Sequence, residues 1–97
     1  MKSSETKLYN SGLYCFDNSA KLIKTRRADK SLTLERLAEM LGINNPQSIS
    51  NAESGNCHIP AKRLRKYCEV LNIDISEMKD AMLKDRAITI DNFFKKF

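Results

Sequence analysis

Of the 97 residues in this chain, those from Leu32 to Gly55 constrain the fold most, because they read as two short helices joined by a tight turn. Thr33 can cap a first helix whose apolar Leu34, Leu37, Ala38 and Leu41 recur at helical spacing. Gly42 stops that helix where a residue able to take positive φ is wanted. Asn44-Asn45-Pro46 then supplies a turn, a cap and a proline near the first position of a second helix. Ile49 and Ala52 mark its inward face, and Gln47, Ser48, Ser50 and Asn51 point outward. Short amides and hydroxyls on an exposed helix suit the reading of base edges, since an amide donates and accepts at adenine N6 and N7.

The same periodicity organises the flanks into an all-α arrangement. Asp17 or Asn18 is expected to cap a helix running to about Lys30, with Ala20, Ile23 and the stem of Arg27 facing inward. After a loop at Asn56–Ile59, Pro60 is placed to open a helix from Ala61 to about Leu71. There Leu64, Tyr67, Cys68 and Leu71 form an apolar stripe opposite Lys62, Arg63, Arg65 and Lys66. Ser76 is expected to cap a further helix carrying Met78, Ala81 and Met82, with Asp80 and Lys84 spaced to pair. The resulting division is an N-terminal arm at 1–16, one domain at 17–86 and a tail at 87–97. The arm has no sustained period. Its Lys2 and Lys7 can follow a phosphate backbone or a minor groove, and its aromatics can instead cover the domain or a partner. In the tail, Ile88 and Ile90 alternate with polar residues like a short strand, and Asp91 can cap a last helical turn bearing Phe93, Phe94 and Phe97.

Composition narrows the function. A chain with 41% hydrophobic and 30% charged residues is ordinary for a soluble domain with a small core. It has no apolar stretch long enough for a bilayer and no secretory start, so a cytoplasmic protein without membrane contact is expected. Cys15, Cys57 and Cys68 cannot all pair within one chain, and none stands in a Cys-x-x-Cys spacing; a reducing compartment fits. Cys57 beside His58 has no second ligand pair, so no metal and no cofactor is expected. With one histidine, no Gly-rich phosphate loop and no nucleophile motif, the chain does not read as an enzyme. The formal net charge is +5 and is uneven. Residues 1–31 hold seven Lys/Arg against three Asp/Glu, residues 32–60 one against three, and residues 61–97 nine against six. Basic charge thus flanks the second helix of the central pair, as phosphate clamps on either side of a groove would.

At this point the chain resembles a known family. The run LTLERLAEMLGINNPQSISNAESG, with Ala38, Gly42, Ile49, Glu53 and Gly55 in place, looks like the helix-turn-helix of the Cro-type, or XRE, phage and bacterial repressors. Upstream, LIKTRRADKSLT matches the family's first helix; downstream, IPAKRLRKYCEVLNIDISEM matches its fourth helix and the start of its fifth. The resemblance covers about Asn18 to Leu83 and implies a compact five-helix lambda-repressor-like bundle. Two departures stand out: the turn between Gly42 and Ile49 is one residue longer than the common pattern, and Leu34 replaces a frequent glutamine. The resemblance also implies an ion pair between Arg27 and Glu53, and phosphate contacts by Asn56, Lys62 and Arg63.

The expected function is that of a sequence-specific double-stranded DNA-binding regulator of transcription, a repressor or autoregulator, reading the major groove with the helix that starts near Pro46. Gln47 and Asn51 are the first candidates for base contacts and Ser48 and Ser50 the second; Thr33, Asn45 and Ser54 join Asn56, Lys62 and Arg63 as candidate phosphate contacts. A two-fold homodimer completes such a small reader, with Phe93, Phe94 and Phe97 as the candidate interface. The alternative is an antitoxin or adaptor that keeps the fold and binds a protein partner, because no basic residue lies between Asn45 and Ser54.

Overall fold

Helical spacing of apolar residues, punctuated by residues that adopt positive φ, sets the element order. The computed structural model describes residues 12–97. It contains α1 (Asp17–Asp29), α2 (Leu34–Leu41), α3 (Gln47–Glu53), a 3-10 turn (Ala61–Arg63), α4 (Leu64–Leu71) and α5 (Ile75–Lys96). The fold is an all-α globule of five helices with no strand among the described residues.

Two helices close by the same device. Gly42 takes φ +72°, which lets the Ile43 N–H reach back to the Ala38 carbonyl at 2.8 Å and satisfy an end of α2. Asn72 takes φ 56° after α4, and the Ile73 N–H reaches the Cys68 carbonyl at 2.9 Å. A β-carbon on Gly42 would meet no atom within 4 Å, so glycine is needed there for its dihedral angle and not for space. Gly55 differs: at φ +76°, its β-carbon would lie 2.8 Å from the Asp17 carboxylate.

The core gathers one stripe from each helix. Ile23 of α1, Leu37 and Leu41 of α2, Ile49 of α3, Tyr67 and Leu71 of α4 and Met78 of α5 are buried together, joined by Ile59 and Ile73 from the loops. Cys68 belongs to this cluster, and burial pushes its thiol pKa up. Cys15 and Cys57 are half-buried free thiols.

The N-terminus of α1 corrects the sequence expectation. Asp17 is already its first helical residue, and no side chain of its own flank provides a cap. The carboxylate comes instead from Asp85 on α5, which accepts from the backbone N–H of Asn18 at 2.8 Å and of Ser19 at 3.0 Å. The Asn18 amide and the Ser19 hydroxyl donate to it as well, at 3.0 and 2.8 Å. A buried carboxylate is tolerable here because these donors replace the water it has lost.

The C-terminal expectation is overturned in the same region. Residues 87–97 form neither a strand at Ile88 and Ile90 nor a separate turn capped by Asp91; α5 runs unbroken to Lys96. Its polar Asp85, Thr89 and Asn92, spaced by four and three, take up the chain leading into α1. Thr89 Oγ1 accepts from the Cys15 N–H at 2.8 Å, and the Asn92 amide donates to the Leu13 carbonyl at 3.0 Å. Residues 12–16 of the expected arm therefore lie along α5, while Lys2 and Lys7 fall outside the described residues. Nor does Ser76 cap α5, since Asp74 holds that position with extended backbone. Asp80 and Lys84 form no ion pair.

Candidate nucleic-acid interface

The turn before α3 is built by local hydrogen bonds. Asn45 Oδ1 accepts from the Gln47 N–H at 2.9 Å, and Pro46 follows with φ −63°, already suited to the helix. The Ser48 hydroxyl donates to the Asn45 carbonyl at 3.0 Å. Ile49 and Ala52 are buried beneath, which turns Gln47 and Ser48 to solvent and leaves Ser50 and Asn51 partly exposed. Gln47 and Asn51 are one turn apart, and the Gln47 amide donates to Asn51 Oδ1 at 3.1 Å. That bond does not use the Asn51 amide hydrogens or the Gln47 side-chain carbonyl oxygen, which leaves one donor group and one acceptor on a single helix face.

What fixes the angle of this face is the far end of α3. Arg27 of α1 grips Glu53 with two bonds, Nε to Oε2 at 2.6 Å and Nη2 to Oε1 at 3.0 Å. Its third arm, Nη1, donates to the Leu32 carbonyl at 2.7 Å, just before α2. One guanidinium therefore ties α1, the approach to α2 and α3 together. The Glu53 side chain is only 6% exposed, and its hydrogen bonds push the Arg27 pKa up. Beneath it, Tyr67 is raised to about 12, first by burial and then by the Glu53 charge.

Several candidate phosphate contacts already serve the fold. Thr33 Oγ1 accepts from the Arg36 N–H at 3.0 Å and caps α2. The Ser54 hydroxyl donates to the Ser50 carbonyl at 2.8 Å. Asn45 spends its side-chain oxygen on the turn, though its amide hydrogens remain available. Past α3, Asn56 is exposed with its N–H on the Asn51 carbonyl at 3.1 Å, and the buried Ile59 anchors the loop that follows. Lys62 is exposed and Arg63 half-exposed in the 3-10 turn, and neither forms an ion pair among the described residues.

The three aromatic candidates at the C-terminus separate. Phe93 is half-buried and meets Tyr14 edge to face with centroids 5.5 Å apart, whereas Phe94 and Phe97 are 85% and 88% exposed. Phe93 therefore covers its own domain. The positioning residue that sequence reading missed is Asp85. Its signal was its place with Thr89 and Asn92 at helical spacing, visible only once the tail is recognised as helix.

Among known proteins, a helix-turn-helix family model matches residues 23–78, more than half of the chain. No curated protein and no solved structure matches the chain. Among the described residues, no helix is long and apolar enough to cross a membrane.

Proposed function

The chain belongs to the Cro-type, or XRE, helix-turn-helix family of DNA-binding domains, and from that premise we propose that it is a sequence-specific regulator of transcription, acting as a repressor or autoregulator. In this reading α3 enters the major groove of double-stranded DNA, where Gln47 and Asn51 read base edges and Ser48 and Ser50 add adaptable contacts. Asn56, Lys62 and Arg63 meet the phosphates, joined by the Thr33 hydroxyl hydrogen and the Asn45 amide, whereas Ser54 joins them only if its hydroxyl leaves the Ser50 carbonyl. The observation that carries the reading is the pair Gln47 and Asn51, presented on one face of a helix whose other end is fixed by Arg27 and Glu53.

A homodimer on a two-fold site supplies the affinity that one short helix lacks, and work on DNA implies a cytoplasmic protein. Selection of bound duplexes from a random pool tests this function. The expected product is one enriched motif with related halves. A pool that shows no enrichment would overturn sequence-specific reading in favour of a protein-binding role for the same helix.

A further inference from the structure

A cavity of about 580 Å³ opens between the chain entering α1, the loop leading into the 3-10 turn and one side of α5, and none of the described residues of α3 lines it. Its size falls within the range of small-molecule sites, roughly 300–1,000 Å³. Phe16, Ile59, Leu64 and Met82 make the walls largely apolar, and the unbranched Met82 can adapt to the shape of an occupant.

Two cations mark its edge. Lys79 and Arg86 line the cavity from α5, both are exposed, and neither is in an ion pair among the described residues. They stand two turns apart on one helix face, where their long stems can bring both charges to a single anion. The carboxylate in the lining, Asp85, is already spent. Its oxygens accept from the Asn18 and Ser19 backbone N–H groups, the Asn18 amide and the Ser19 hydroxyl. It also sits at the N-terminus of α1, whose dipole offsets its charge. A neutral hydrocarbon would leave the two cations unused, a cation would be repelled by them, and a bare inorganic anion would leave the apolar recess unfilled. What fits both parts is a small amphipathic carboxylate, its tail in the recess and its head on Arg86 and Lys79.

We infer that this cavity binds a carboxylate with an apolar tail, of the medium-chain fatty acid kind, and that its occupant acts on DNA binding through the 3-10 turn. Ala61, which begins that turn, lines the cavity, and Lys62 and Arg63 follow it directly. An occupant against Ala61 therefore bears on the element that carries two candidate phosphate contacts. This coupling rests on the DNA-binding reading above; the binding of the carboxylate does not.

Calorimetric titration of the full chain with decanoate, in the absence of DNA, tests the site. The wild type should bind saturably, and decanol and decyltrimethylammonium should bind more weakly by about tenfold or more, because neither offers a negative head. Arg86→Gln removes a charge and Ala61→Phe fills the recess from an exposed position; each should weaken decanoate by about tenfold, with thermal unfolding still cooperative. Equal binding of decyltrimethylammonium and decanoate, or wild-type affinity in both variants, would overturn the site. So would a wild type that binds no decanoate, including the case in which Leu8→Ser with Tyr9→Ser restores binding and assigns the cavity to the chain's own N-terminal residues. For the coupling, saturating decanoate should change the duplex affinity of the wild type by about fivefold or more and that of Ala61→Phe little. A wild type that binds duplex equally with and without decanoate would overturn the coupling. A chain that binds decanoate but no duplex would instead overturn the DNA-binding reading on which the coupling rests.

Discussion

Arg27 shows how one side chain can govern a reading face that it does not touch. Its guanidinium ties α1, the approach to α2 and α3 together, and Glu53 is nearly shielded from water, so losing either partner strands a charge. Arg27→Ala is expected to lower stability by about 3 kcal/mol and DNA affinity with it. Arg27→Met with Glu53→Leu should recover much of the stability, because no unpaired charge remains. Urea unfolding of the four chains closes the cycle, and strictly additive losses would count against the coupling. Tyr67 gives a second expectation. Its pKa is raised to about 12 when folded, against about 10 when unfolded, so the folded chain keeps a proton that the unfolded chain gives up. Stability linked to this residue is therefore full below pH 10 and falls as pH rises towards 12, by about 2–3 kcal/mol. Unfolding at pH 9 and pH 11 checks the sign: wild type should lose more than Tyr67→Phe across that interval, and equal losses would contradict it. The pairing of Arg27 with Glu53 was implied by resemblance alone, because nothing in the spacing of residues 27 and 53 brings them together.

At the scale of elements, what was legible depended on whether a signal was local. Gly42 follows an apolar period directly, and Thr33 caps the helix that begins at the next residue, so the ends of α2 were readable from a few neighbouring residues. The start of α1 was not, because its cap comes from α5, 66 residues further along the chain. The strand-like alternation at Ile88 and Ile90 misled for a related reason. Those two residues lie on opposite flanks of a long helix and are both exposed, with Thr89 buried between them and engaged with Cys15. Sequence alternation cannot reveal that Asp85, Thr89 and Asn92 need to remain helical to hold residues 13–19. Asp85→Ala should accordingly cost about 2–3 kcal/mol, since it strands the backbone N–H groups of Asn18 and Ser19, while the Ser19 hydroxyl keeps the Phe16 carbonyl. Asp17→Ala, at one of the two residues the sequence offers as cap, should leave stability nearly unchanged. Thermal unfolding of the two variants decides between them, and the reverse order of effects would contradict the shared carboxylate.

For the whole molecule, the uneven charge already separated two kinds of surface, and the fold places α3 between them in sequence and packs it on α1. The resemblance supplied the order of the helices; the structure adds that Thr33, Ser54 and the Asn45 oxygen are committed to the fold, while Lys62, Arg63, Arg65 and Lys66 beyond α3 form no ion pair among the described residues. The central claim is that α3 reads bases while its flanks hold phosphates, and these two kinds of contact respond differently to sequence and salt. The decisive measurement is the affinity of wild type, Gln47→Ala, Asn51→Ala, Lys62→Ala and Arg63→Ala for a selected duplex and a random one across a salt series. The α3 variants should each lose about 1–3 kcal/mol on the selected duplex and little on the random one. The Lys62 and Arg63 variants should weaken on both and flatten the salt dependence by about one counterion per contact. Wild-type affinity of both Gln47→Ala and Asn51→Ala for the selected duplex would contradict the assignment of α3 as the reading helix.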